Sequence, residues 1–158
     1  MPEESGQPSH EGRTSLVVGY KKGVESVNAL HFAIGLATGL NAAIHVVHVV
    51  DLTDYPMDPD EFGWEEQGAV ELDQEQARVR AEMRDYAGEW TYQSRRGNPL
   101  KLLREAAVEH DALMVIVGTH SDRPGASLAR LFGGSVSRGL IRHLHHPVLV
   151  VPLMAEPH

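Results

Sequence analysis

Leu113–Val117 reads "LMVIV", five residues without a charge or a turn former, and Gly118 follows at once. An apolar run this short, closed by glycine, predicts a strand covered on both faces rather than one with a wet side. Strands of that kind belong to parallel sheets, whose neighbours must be joined by helical crossovers. The flanking sequence should then alternate strands with helices.

It does so in both directions. Ser15–Gly19, "SLVVG", is a second short apolar run ending in glycine and predicts a buried strand. From Glu25 to Gly39, Val27, Leu30, Ile34 and Ala37 recur at three- and four-residue steps, the stripe of an amphipathic helix. Ala43–Val50, "AIHVVHVV", is rich in β-branched residues and predicts a strand. Leu72, Val79, Met83, Tyr86 and Trp90 keep helical spacing and predict a long second helix, with a short strand over Trp90–Ser94. Asn98-Pro99 supplies a helix cap and then a proline in the first turn, where its missing N–H costs nothing; Leu100, Leu103, Ala107 and His110 continue that helix. Val136, Leu140 and Leu144 mark a last helix, and Pro147–Pro152, "PVLVVP", a last strand. The order β-α-β-α-β-α-β-α-β predicts an α/β fold, a single domain with a five-stranded parallel sheet and helices on both faces.

Size and composition fit one domain. The chain has 158 residues, 42% hydrophobic and 23% charged, and lacks cysteine, so disulfides, thiolate metal sites and cysteine nucleophiles are excluded. Residues 1–13 are polar and acidic and are expected to be a disordered lead-in to a domain over 14–154, with 155–158 as a tail. The formal net charge of -8 argues against nucleic-acid binding, and a cytoplasmic location is expected. Val27–Val50 contains no Asp, Glu, Lys or Arg, but Gly39-Leu40-Asn41 interrupts it with a turn signal, so no membrane span is expected. Asp51, Asp54, Asp58, Asp60, Glu61, Glu65 and Glu66 crowd an acidic loop over 51–66; such a loop is a solvated connector, a metal site or a partner surface.

In open parallel sheets ligands sit beyond the carboxyl ends of the strands, which singles out the loops after Gly19 and after Gly118. The second contains Arg123 and Arg130 and closes on Gly133-Gly134-Ser135 before the last helix. Glycines there admit a close backbone approach, and the helix start offers unpaired N–H groups to an anion. Ser135 as a plain N-cap, with the glycines shaping a turn, accounts for the same residues. The loop is neither a Walker motif nor a Gly-x-Gly-x-x-Gly fingerprint, and "FGGSVSR" is not a nucleophile elbow. Among ten histidines, His45 and His48 are three apart on a strand and point to opposite faces; His143, His145 and His146 can cap helix carbonyls, and no His-Glu-x-x-His motif accompanies them. Trp64 and Trp90 are expected to serve packing.

Taken along the chain, "VVGYKKGVESVNALHFAIGLA", "AIHVVHVV", "GNPLKLLREAAVEHDALMVIVG" and "GGSVSRGLIRHLHHPVLVVP" resemble the universal stress protein family over about 14–153. The resemblance implies a flavodoxin/Rossmann-like fold with strand order 3-2-1-4-5, and a homodimer formed through the last strand, 147–152. It also implies ATP or another adenine nucleotide as ligand, with Mg if ATP is bound. One branch of the family holds ATP with Gly-x-x-Gly, nine residues, then Gly-Ser/Thr. Matched position by position, Gly118 takes the first glycine and Gly134-Ser135 the terminal pair, with Val117 and Val50 lining the adenine pocket and Val136 and Ser137 beside the phosphates. Two positions depart from the pattern: Ser121 stands where the second glycine belongs, with the terminal pair three residues late, and Lys21 replaces an acidic residue after Gly19. A lysine donates where a carboxylate accepts. The alternative reading is therefore a dimeric interaction protein whose nucleotide site has lapsed. Catalysis is at most weak ATP hydrolysis.

Overall fold

The computed structural model describes residues 13–50, 64–119 and 145–152, with backbone only for 64–69 and 119. The predicted last helix and the tail lie outside these residues, as do residues 1–12 of the lead-in and 51–63 of the acidic loop. Five strands form one sheet: β1 (Ser15–Tyr20), β2 (Ala43–Val50), β3 (Trp90–Arg96), β4 (Met114–Thr119) and β5 (Val148–Pro152). Every neighbouring pair is parallel and the order is β3-β2-β1-β4-β5. Register runs from Ser15 opposite Ala43 to Tyr20 opposite His48, and from Leu16 opposite Met114 to Val18 opposite Ile116.

Alternation along these strands divides the core in two. Leu16, Val18, Tyr20, Ile44, Val46 and Ile116 point to the side covered by α1 (Val24–Leu40) and α2 (Trp64–Met83). Val17, Val47, Val49, Val115 and Val117 point to the side covered by α3 (Pro99–Glu109). Leu16, Val17 and Val18 of β1 are fully buried on both faces, which is why its sequence reads as a continuous apolar run.

Local chemistry sets the helix limits. α1 lays Ala29, Ala33 and Ala37 on the sheet, small side chains that let its axis come close. It stops at Asn41, which takes the left-handed conformation (φ 53°, ψ 48°), while its N–H and that of Ala42 both reach the Ala37 carbonyl. At the start of α3, Asn98 Oδ1 accepts from the Lys101 N–H at 3.1 Å and Pro99 occupies the first turn.

Two expectations need correcting. Residues 64–66 of the acidic stretch open α2 rather than belonging to a loop. At its other end α2 stops at Met83, so Tyr86 and Trp90 are not helical. They pack against the same core as Val79 and Met83, from a turn and from β3 respectively, and so extend the apolar spacing past the helix end. A turn at Arg84-Asp85 supplies the break, and the Tyr86 hydroxyl donates to the Ala42 carbonyl. Arg13 is tied down as well, its guanidinium donating to Glu89 at 2.8 Å. Among the described residues, no helix is long and apolar enough to cross a membrane.

Candidate functional site

The chain steps from β1 outward to β2 and β3, then returns to place β4 on the other flank of β1. In a sheet of this order β1 and β4 form the switch point, and the crevice expected for a ligand lies at the carboxyl edge between them. Gly19 and Lys21 stand at one lip, Val117 and Gly118 at the other.

The two glycines answer different demands. A Cβ on Gly19 would lie 3.1 Å from Val117 Cγ1 and 3.2 Å from Leu103 Cδ2, on the α3 side. On Gly118 it would lie 2.2 Å from the Glu25 carbonyl oxygen, on the α1 side. The first turn of α1 thus packs against the backbone of β4, and the absence of a side chain at Gly118 is dictated by that contact.

Lys21 leaves β1 with its backbone N–H donating to Ser26 Oγ at 2.9 Å, so the first turn of α1 fixes the loop. Next comes Lys22, whose ammonium lies 3.8 Å from the Glu71 carboxylate of α2. Gly23 then enters α1 at φ 147°, a conformation open to glycine and rarely to other residues.

Of the two valines expected at an adenine pocket, Val117 is buried on the α3 side. By alternation Val50 belongs with Ile44 and Val46 on the opposite side, so the strand geometry does not bring these two side chains together. On the face of Val117, β2 places Val47, level with it across Gly19, and two residues nearer the carboxyl edge Val49. Period-two counting from Val47 would have found it. Ser121, Gly134, Ser135, Val136 and Ser137, with Arg123 and Arg130, lie outside the described residues.

Behind the lip is a buried polar chain that the sequence did not announce. Tyr20, 1% exposed, donates its hydroxyl to Glu75 Oε2 of α2 at 2.7 Å. Burial first, then the Glu75 carboxylate, pushes the Tyr20 phenol well above its ordinary value, against an opposing pull from Arg78. Tyr20 meets the His48 ring edge-on at 5.3 Å, and His48 Nδ1 shares a 2.8 Å hydrogen bond with the Tyr92 hydroxyl. A glutamate inside a polar helix carries no sequence signal of burial, which explains why Glu75 was missed. Another missed residue is Asn28, whose amide donates to the Pro152 carbonyl at 2.8 Å and ties α1 to the end of β5.

His45 and His48 do face opposite ways. The His45 ring stacks on His110 of the α3 cap with centroids 3.6 Å apart and planes 8° from parallel. Among the described residues, no group of three or more His, Asp or Glu side chains could hold a metal ion.

Comparison with known proteins gives this geometry its context. The model of the universal stress protein family matches residues 12–152. A universal stress protein of Methanocaldococcus jannaschii is 28% identical over 130 residues, covering 80% of this chain and 74% of the relative. A solved member of the family from Burkholderia pseudomallei is 29% identical, with a TM-score of 0.56 over 89% of this chain and 96% of its own. The universal stress protein from Archaeoglobus fulgidus in complex with dAMP shares the fold at 20% identity, with a TM-score of 0.58 over 88% of this chain and 97% of its own. With a match over nearly its whole length, the chain belongs to the universal stress protein family.

Proposed function

We propose that this protein binds an adenine nucleotide in the crevice between β1 and β4, on the α3 side of the sheet. The observation that carries the reading is the switch point itself. It joins Gly19, Val49 and Val117 at one carboxyl edge and feeds directly into the segment that holds Gly134, Ser135 and Ser137 in sequence. The dAMP bound by a relative of the same fold supports an adenine ligand. Val49 and Val117 supply apolar surface for a base, Gly134 and the hydroxyls of Ser135 and Ser137 suit phosphate oxygens, and Lys21 adds charge at the mouth. Magnesium enters this reading only with the phosphates of a bound ATP. The functional unit is a cytoplasmic homodimer joined through β5.

The test is to denature freshly purified protein and analyse the released small molecules by chromatography with mass detection. Near-stoichiometric adenine nucleotide is the expected result, and Gly134→Val should abolish it. A second reading, an interaction protein with a lapsed site, draws on Lys21, which stands where the family resemblance implies an acidic residue, and on Gly118, which helix packing already requires. An empty supernatant, no thermal shift with ATP or AMP, and gained affinity in Lys21→Asp would decide for it.

A further inference from the structure

We propose that Tyr20 and Glu75 are positioning residues for the nucleotide site, bracing the end of β1 from the face of the sheet that the ligand does not touch. The inference rests on the nucleotide reading above. Gly19 and Tyr20 are consecutive on a strand and point to opposite sides, Gly19 toward Leu103 of α3 and Tyr20 toward α2. Tyr20 therefore sits behind the crevice, yet it is the last residue before the Lys21–Gly23 turn.

Three separate grips act on that turn. Glu75 holds the Tyr20 hydroxyl at 2.7 Å, Ser26 holds the Lys21 N–H at 2.9 Å, and Glu71 lies 3.8 Å from the Lys22 ammonium. Glu71 and Glu75 are one helical turn apart on α2, so a single helix face meets both sides of Lys21. The grips differ in strength. Lys22 and Glu71 are half-exposed and contribute little, whereas Tyr20 and Glu75 are buried at 1% and 6% exposure, where a lost partner leaves a desolvated group unpaired. Across the crevice, backbone contact between Glu25 and Gly118 locks the other lip to α1. A displacement of Tyr20 thus changes the gap between Lys21 and Gly118 without removing any group from the ligand's surroundings.

The test is ATP binding by isothermal titration calorimetry, with circular dichroism and thermal melting on the same samples, for wild type, Tyr20→Phe, Glu75→Gln, Glu75→Leu and Tyr20→Phe/Glu75→Leu. Tyr20→Phe and Glu75→Leu should each weaken ATP about tenfold while the fold persists. Glu75→Gln keeps an oxygen that accepts from Tyr20 and should retain wild-type affinity. The double variant should be no weaker than either single, because both remove one bond. If Tyr20→Phe fails to fold, the double variant carries the test, since replacing both residues leaves neither half of the Tyr20–Glu75 bond unpaired. Unchanged affinity in folded Tyr20→Phe, or in the double variant, with only a lower melting temperature, would overturn the inference and leave the nucleotide reading standing. Failure of the wild type to bind ATP, ADP or AMP would overturn both.

Discussion

A methyl group added at Gly118 meets a carbonyl oxygen at 2.2 Å, whereas one added at Gly19 meets only the ends of Val117 and Leu103 at 3.1–3.3 Å. Backbone can yield only by moving α1 as a body, while branched side chains yield by tenths of an ångström. Gly118→Ala should therefore cost about 1–3 kcal/mol in urea unfolding, and Gly19→Ala distinctly less. Equal losses at the two sites would refute that account of Gly118. Asn98 gives a second handle at this scale: without the bond to the Lys101 N–H, Asn98→Ala should lose about 1 kcal/mol in the same assay. Both glycines were legible in the sequence as the ends of apolar runs, and Asn98 as a cap. What the sequence could not tell apart is a glycine that makes room for a ligand and one that makes room for a helix. Val50 shows a different limit: β2 is buried on both sides and ends in two valines, so hydrophobicity alone does not say that Val49 rather than Val50 shares a face with Val117.

Elements follow the same pattern: periodicity located them, and partners set their ends. Spacing carried α2 on to Trp90 because residues beyond the helix still serve the same core, while the turn at Arg84-Asp85 left a weaker trace. The junction of α3 with β2 rests on the His45–His110 stack, flanked by Thr91 on His45 and by the Arg95–Glu109 ion pair at 2.9 Å. Burial holds the His110 pKa below its ordinary value, with Glu109 opposing and Arg95 assisting. The unfolded chain then binds a proton more readily than the folded one, so this contribution is full above the unfolded histidine pKa of about 6.5 and is lost as pH falls through and below it. Urea midpoints compared at about pH 8 and about pH 5.5 should fall further in the wild type than in His110→Gln, which has no proton to take up. The same decline in both proteins would show that His110 is not the acid-sensitive group.

At the scale of the molecule, the parallel sheet was legible because burial on both faces writes itself as uncharged runs such as Val115–Val117, and alternation with helices then leaves few arrangements. The order β3-β2-β1-β4-β5 was not in the runs; it came from family resemblance and is realised in the register. The two edges of this sheet differ in a way that bears on assembly. β3 carries Gln93, Arg95 and Arg96, of which Gln93 and Arg96 are exposed, side chains that discourage pairing with another strand. β5 has no charge, keeps Val148, Leu149 and Val150 half-buried, and is fastened by Asn28 at its end, so it presents an ordered apolar edge. A two-fold axis beside β5 would pair each copy with its mate through one self-complementary strand. Sedimentation equilibrium should therefore give twice the chain mass for the wild type. Val150→Lys should shift it to the mass of one chain with its circular dichroism intact, and Gln93→Lys on the opposite edge should leave the dimer unchanged. A wild-type chain that sediments as a monomer would remove β5 as the dimer interface. Dissociation by Gln93→Lys instead would move that interface to β3, beside the Arg95–Glu109 pair and on the far side of the sheet from Asn28.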